Sequence, residues 1–197
     1  MVPDADATIT PREDTELMRR VQAGDEAALG SLMERWERPL KSFIARIVLN
    51  AGEAEELAQE TFVSVWQHRE KFRAGAEFRP WVFAIAVNLA RNRLRWWRRR
   101  PTISLHEWSE TQRTEDRSQR SDNSAGAGTL EREERAAAVR DAVSALPAEL
   151  REAIVLFEYE QMSQAEIARA VGATEKAVET RIHRAREKLR GMLKRWV

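Results

Sequence analysis

Through most of this chain the apolar positions recur every three or four residues. Leu17, Met18 and Val21 make a short stripe. Leu29, Leu32, Trp36, Leu40, Phe43, Ile44, Ile47 and Val48 make a longer one, and Leu57, Ala58, Thr61, Phe62, Val65 and Trp66 a wide third. Such spacing predicts amphipathic helices that each bury one face. Pro39 falls inside the second stripe and predicts a bend or a split there, because proline lacks the N–H and crowds the preceding turn. Pro80 suits the first turn of a fourth helix running to about Arg99. In it Phe83, Val87, Ala90, Leu94 and Trp97 recur at four, three, four, three and should face the other helices. Four helices with these stripes predict a compact bundle.

The pattern then stops. Residues 111–128, "TQRTEDRSQRSDNSAGAG", contain no apolar residue larger than alanine. Such a stretch buries little and reads as a flexible linker. Helical spacing resumes around residues 130–145, and again after Pro147 with Leu150, Ile154 and Phe157. Val and Ile nowhere alternate with polar residues as a strand would require. The expected fold is therefore all-α: an N-terminal helical bundle and a C-terminal helical domain joined by a flexible linker. The expected boundaries are a tail at 1–14, a first domain at 15–100, a linker at 101–129 and a second domain at 130–197.

The last two helices carry a motif. Ser163 and Glu166 have capping-box spacing, Ile167, Ala168 and Val171 form a short stripe, and Gly172 follows. Thr174 is a good N-cap for the next helix, whose stripe is Val178, Ile182, Ala185, Leu189 and Met192. Glycine at 172 takes positive φ cheaply and lets the chain turn sharply between the two helices. This is a helix-turn-helix pattern, whose second helix usually enters the DNA major groove. The face away from the stripe carries Lys176, Glu179, Thr180, His183, Arg184, Arg186 and Arg190. A plain helical hairpin with a solvated charged face is the competing structural reading.

Total charge adds nothing, since 33 Lys and Arg nearly cancel 32 Asp and Glu, but its distribution does. Residues 91–100 hold six arginines, residues 181–195 hold seven Lys or Arg, and residues 53–60 hold four glutamates. Two basic stripes and one acidic patch point to nucleic acid in two places and to a protein partner. On the fourth helix Asn88, Asn92, Arg95 and Arg99 follow one face, with Arg91 and Arg98 beside them. Arginine holds phosphates, and an amide pairs with a base edge. Six arginines exceed what a helix C-terminus needs to complement its dipole. Trp81, Trp96 and Trp97 are read as core or boundary residues, with stacking on bases as the alternative.

Absence of cysteine excludes disulfides, thiol catalysis and Cys-based zinc sites. His68, His106 and His183 are isolated, without metal-ligand spacing, and no glycine-rich phosphate loop or nucleophile–base arrangement is present. No enzyme activity, metal or cofactor is expected. No apolar run reaches the length of a membrane span, and the N-terminus lacks a signal-peptide core, so a cytoplasmic protein without membrane insertion is expected.

Two long stretches resemble a known family. "AEELAQETFVSVWQHREKFRAGAEFRPWVFAIAVNLARNRLRWWRRRP" resembles the second domain of bacterial RNA polymerase sigma factors of the extracytoplasmic-function (ECF) group. "LPAELREAIVLFEYEQMSQAEIARAVGATEKAVETRIHRAREKLR" is similar to their fourth domain. The matches come in the family's order and cover roughly residues 17–100 and 130–195. The resemblance implies a subunit that binds core RNA polymerase, reads and melts the promoter -10 element with its first domain, and reads the -35 element with its second. It places polymerase binding on Glu56, Leu57, Gln59, Glu60, Phe62 and Trp66. It places the -10 loop on residues 71–78, ending at Phe78, and the melting helix on Asn88, Arg91, Asn92, Arg95, Arg98 and Arg99. It places -35 recognition on Lys176, Glu179, Thr180, His183, Arg184 and Arg186. Of these, Lys176, Glu179, Thr180 and His183 should reach base edges, and Arg184 and Arg186 should hold phosphates. Two positions depart from the common pattern: Asn92, where many members have Asp, and Glu179, where many have Lys or Arg. Glutamate repels phosphate but accepts a hydrogen bond from cytosine N4. An anti-sigma protein is a further partner for which the resemblance leaves room.

The competing function is a stand-alone helix-turn-helix regulator binding duplex DNA. The first domain separates the two readings, because such a regulator has no use for a melting helix beside an acidic partner-binding helix.

Overall fold

The computed structural model describes residues 11–99 and 127–196. Most of the expected linker lies outside the described residues. Helix α1 spans Pro11–Gln22, α2 Glu26–Val48, α3 Ala51–Gln67 and α4 Phe78–Arg99, with a short 3-10 turn at Arg69–Lys71. In the second half α5 spans Ala127–Ser144, α6 Ala148–Glu158, α7 Gln164–Val171 and α8 Glu175–Met192. No strand occurs among the described residues.

Local chemistry sets the helix ends. The Asp25 side chain accepts from the Ala28 amide to start α2, and Asn50 accepts from Glu53 to start α3. Between them Leu49 adopts a left-handed conformation, φ 60°, with its amide donating to the Ala45 carbonyl. Of the bend or split expected at Pro39, the split does not occur: α2 is one continuous helix. Trp36, Leu40 and Phe43, buried on either side of the proline, hold the helix in register and outweigh the lost backbone bond. The tail boundary expected at residue 14 also falls inside a helix. Asp14 belongs to the first turn of α1, and its buried carboxylate accepts from Trp36 Nε1 at 3.0 Å and Arg35 Nη1 at 3.2 Å.

The N-terminal core is aromatic. Trp36 meets Phe78 and Phe83 edge-on, with ring centroids 6.0 and 6.1 Å away, and Phe43 meets Phe83 at 5.3 Å. Edge-to-face packing suits the ring quadrupoles and adds to the burial of apolar area. Of the α4 stripe, Phe83, Val87 and Ala90 are buried, and Leu94 and Trp97 pack partly buried against the core.

In the second half the Ser163–Glu166 capping box forms as its spacing predicts, Gly172 takes φ 69°, and Thr174 caps α8. Helix α6 is unusual, because five consecutive residues from Glu152 to Leu156 are buried. A helix covered on more than one side needs more than one neighbour. One side meets α8 and another meets α2, while α7 packs along α4. The buried side chains of the two halves form one continuous apolar cluster.

Candidate nucleic-acid and partner-binding faces

Helix α8 presents the first face. Val178, Ile182 and Ala185 are buried beneath it. Lys176, Glu179, His183, Arg184 and Arg186 are exposed, and Thr180 is half-buried. Lys176, Glu179, Thr180, His183 and Arg186 already have partners. Lys176 Nζ sits 2.9 Å from Glu179 Oε2, one turn along the helix. The Thr180 hydroxyl donates back to the Lys176 carbonyl at 2.8 Å. His183 Nε2 lies 3.6 Å from Glu187 Oε1. Arg186 donates to Glu158 Oε1 at 2.7 Å and lies over the Phe157 ring, so it ties α8 to α6. Arg181, half-buried lower on α8, reaches Glu149 at 3.0 Å.

Helix α4 and the turn before it present the second face. Asn88, Asn92, Arg95, Arg98 and Arg99 are exposed, and Arg95 donates to the Asn92 side chain. Phe78 is only 1% exposed and sits within ring-contact distance of Trp36, Phe72 and Trp81, so it holds the loop from inside. Arg91 points into the seam between the two halves. Its Nε lies 2.9 Å from Glu152 Oε1, its Nη2 2.6 Å from Glu152 Oε2, and its Nη1 3.2 Å from the Val171 carbonyl. Beside Asn88 is an open pocket of about 300 Å³, lined by Ser64, His68, Lys71, Trp81, Ile85 and Leu89 as well as Asn88. Trp81 is a half-buried boundary residue, and Trp96 is 46% exposed.

Helix α3 presents the third face. Glu56, Gln59 and Glu60 are exposed and Trp66 is half-buried, whereas Leu57 and Phe62 are core residues, 1% and 3% exposed. Between the polar residues stands Val63, 54% exposed, off the buried face and so outside the apolar stripe. An apolar residue on the polar side of an amphipathic helix was its signal. Arg93 of α4 pairs with Glu53 and approaches Glu56 at 3.7 Å, which fixes α3 against α4.

The seam itself was missed by sequence reasoning. Arg151 Nη1 donates to the Ile47 carbonyl at the end of α2, 2.9 Å away. Arg169 of α7 pairs with Glu77, and the Arg46 guanidinium lies 4.3 Å from the centre of the Tyr159 ring. Glu160 sits nearby, and burial pushes its carboxyl above the usual range, with Arg46 and Arg79 opposing the shift.

Comparison with known proteins gives a consistent result over most of the chain. Residues 32–100 match the family model for sigma-70 region 2, and residues 136–189 match that for sigma-70, region 4. The RNA polymerase sigma-H factor of Pseudomonas aeruginosa is 32% identical over 179 residues, covering 91% of this chain and 93% of the relative. The ECF RNA polymerase sigma-E factor of Escherichia coli is 33% identical over 174 residues, covering 88% and 91%. Among solved structures, CnrH in complex with the cytosolic domain of CnrY superposes with a TM-score of 0.68 at 27% identity, over 94% of this chain and 99% of that one. The sigma factor RpoE in complex with the anti-sigma factor NepR, from Bartonella quintana, shares the fold with a TM-score of 0.56 at 22% identity, over 84% and 96%. No helix among the described residues is long and apolar enough to cross a membrane.

Proposed function

This chain belongs to the sigma-70 family, in its ECF group, and from that premise we propose how its three faces share the work of directing core RNA polymerase to promoters. The exposed face of α3, with Glu56, Gln59, Glu60 and Val63, docks on polymerase. An apolar side chain rimmed by carboxylates has the composition of an interface centre with a charged rim. Leu57 and Phe62 shape that face from beneath, and Trp66 borders it.

Helix α4 serves the -10 element. Asn88 and Asn92 offer amides to bases, and Arg91, Arg95, Arg98 and Arg99 offer guanidinium groups to phosphates. The pocket beside Asn88 combines an indole wall with polar groups from Ser64, His68 and Lys71. This combination suits an unpaired base, which stacks on one side and bonds along its edge. Phe78 positions the preceding loop.

The exposed face of α8 serves the -35 element. Lys176, Glu179 and His183 near its N-terminus reach base edges, Thr180 supports them from the helix backbone, and Arg184 and Arg186 hold phosphates. Since Lys176 and Glu179 already pair, the carboxylate is neutralised before it approaches DNA. Glu179→Arg should therefore change which -35 bases are preferred. Selection of binding sites from random duplexes by the holoenzyme reads this directly, and an unaltered preference would remove Glu179 from the reading set. An anti-sigma protein is a further partner, supported by the family's solved complex with NepR.

The observation that carries the proposal is the occurrence, in one chain, of an α4 amide–arginine row and a helix-turn-helix with an exposed basic face. Run-off transcription from a genomic fragment library with purified core polymerase tests it. Discrete transcripts from promoters sharing -35 and -10 motifs are expected, and no start sites above those of core polymerase alone would refute it.

A further inference from the structure

Helix α1 precedes the residues that match the sigma-70 region 2 model, which begin at residue 32, and it belongs to none of the three faces. It nevertheless reaches one of them. Gln22, half-buried at the last position of α1, bonds to residues 47 and 50 places further along the chain. Its Nε2 donates to the Arg69 carbonyl at 2.9 Å and to the Phe72 carbonyl at 2.8 Å. These two bonds use both N–H groups of the amide. The two carbonyls stand at the start of the 3-10 turn Arg69–Lys71 and just past its end. The end of a helix leaves carbonyls without partners of its own, so Gln22 supplies from outside what the turn lacks. Two turns back on the same face of α1, the Thr15 hydroxyl donates to the Ala76 carbonyl at 3.5 Å. Met18 and Val21, both buried, fix α1 to the bundle. One anchored helix thus holds the segment 69–76 at two places.

That segment builds one side of the pocket beside Asn88. His68 and Lys71 line the pocket, and the Lys71 amide donates to the His68 carbonyl at 2.8 Å. The buried Phe72 ring meets Trp81, the indole wall of the pocket, with 5.2 Å between centroids. Gln22 is not among the lining residues, so it acts on the pocket only through the turn.

We propose that Gln22 is a positioning residue for -10 recognition: its two bonds close the 3-10 turn and hold Lys71 and Trp81 where the pocket receives an unpaired base. The inference rests on the role given to that pocket under the proposed function, whereas the brace between α1 and the turn does not. A 3-10 turn has poorer hydrogen-bond geometry than an α-helix and is short of bonds of its own. Without the amide it samples other shapes, and affinity falls with the fraction of time the pocket is formed.

Gln22→Glu keeps the side chain's size, removes the donor and sets a carboxylate against two carbonyls. Gln22→Met removes the donor without adding charge. Arg20→Ala is the control: Arg20 is exposed, pairs with Asp25, and projects from the other side of α1. The chain contains no cysteine, so a nitroxide at the exposed Glu70→Cys reports on the turn alone. Continuous-wave spin resonance of the full chain, without DNA or polymerase, should show an ordered label in the parent and in Arg20→Ala. Both Gln22 variants should add a mobile component at unchanged helicity. Unlabelled holoenzymes are then compared on a promoter from the fragment library and on a copy with one -10 base replaced. Gln22→Glu should weaken open-complex formation on the intact promoter about tenfold, the loss when the competent fraction falls to near one tenth. It should also narrow the gap between the two promoters, with affinity for core polymerase and -35 preference unchanged. A merely structural loss would depress both promoters alike.

A label equally ordered in the parent and in both Gln22 variants would overturn the brace. A mobile turn with parental -10 discrimination, or the same loss of discrimination in Arg20→Ala, would overturn the positioning role. The label is read without DNA or polymerase. A parent whose turn is braced as expected but whose holoenzyme gives no run-off transcripts would therefore refute the promoter reading, and the positioning role with it, and leave the brace standing.

Discussion

The interior of the N-terminal half and the seam between the halves are built from different materials. Inside the bundle, Trp36, Phe43, Phe78 and Phe83 pack ring against ring, and the buried carboxylate of Asp14 is bonded to Trp36 and Arg35. The seam adds, to the apolar cluster that the two halves share, Arg91, Arg151 and Arg169, which reach carboxylates and carbonyls of the opposite half. Apolar contacts exchange for nothing in water and fix a shape. Guanidinium contacts need a polar partner placed to match their fork, so they fix direction where apolar packing fixes only shape. The bundle is thus the platform that carries the α3 and α4 faces, and the seam holds Arg91 of α4 against Glu152.

The largest test of this contrast attacks the platform. Leu57→Arg with Phe62→Ser should unfold the N-terminal half, because a buried leucine alone is worth about 2–5 kcal/mol and a charge cannot be seated there. Loss of helicity and a collapse of the urea midpoint would register it. Val63→Asp with Glu60→Arg, both exposed, should leave the midpoint unchanged and abolish binding to core polymerase. If the surface pair binds polymerase normally, the docking face lies elsewhere.

A smaller effect is expected at Gly172, next to the Val171 carbonyl that Arg91 holds. Nothing obstructs a Cβ there, so Gly172→Ala should cost only the left-handed backbone strain, about 1–2 kcal/mol. Thermal unfolding should register that loss, and an unchanged midpoint would mean the turn relaxes to another conformation.

The smallest effect concerns Asp14. Burial is the main influence on its carboxyl and raises the folded-state pKa, despite hydrogen bonds from Trp36 and Arg35. A raised folded pKa means that stability from the protonated form is fully present below the unfolded value and is lost as pH rises through the folded one. Asp14→Asn, which keeps an acceptor for Trp36, should match the parent at low pH and become slightly the more stable near neutrality. Urea midpoints across that range check the sign, and a parent more stable than the variant at neutral pH would reverse it.

Much of the platform was legible in the sequence because its determinants are local. Stripes at three and four spacing located the helices, and Ser163, Glu166, Gly172 and Thr174 fixed the helix-turn-helix. Of the bend or split that Pro39 predicts, the split is absent, since the packing of Trp36 and Phe43 keeps the helix continuous. The seam was not legible because its partners are distant: Arg91 and Glu152 lie 61 residues apart, and a lone glutamate on a helix reads as solvated. The one available signal was the run Ala153 to Phe157, which is apolar around more of α6 than a single neighbour could cover. The spacing predicts a phosphate contact for Arg186; in the structure it engages Glu158 and Phe157, which spacing alone does not reveal.

The most direct measurement compares the affinity of the free protein and of its complex with core polymerase for the same promoter fragment. Two modest DNA-binding faces gain when polymerase holds them at the promoter's spacing, by about 10²–10⁴-fold through effective concentration alone. The account predicts weak, poorly selective binding by the free chain and binding at least about 10²-fold tighter by the holoenzyme. Equal, sequence-selective binding by the free chain would contradict it and point to a stand-alone regulator.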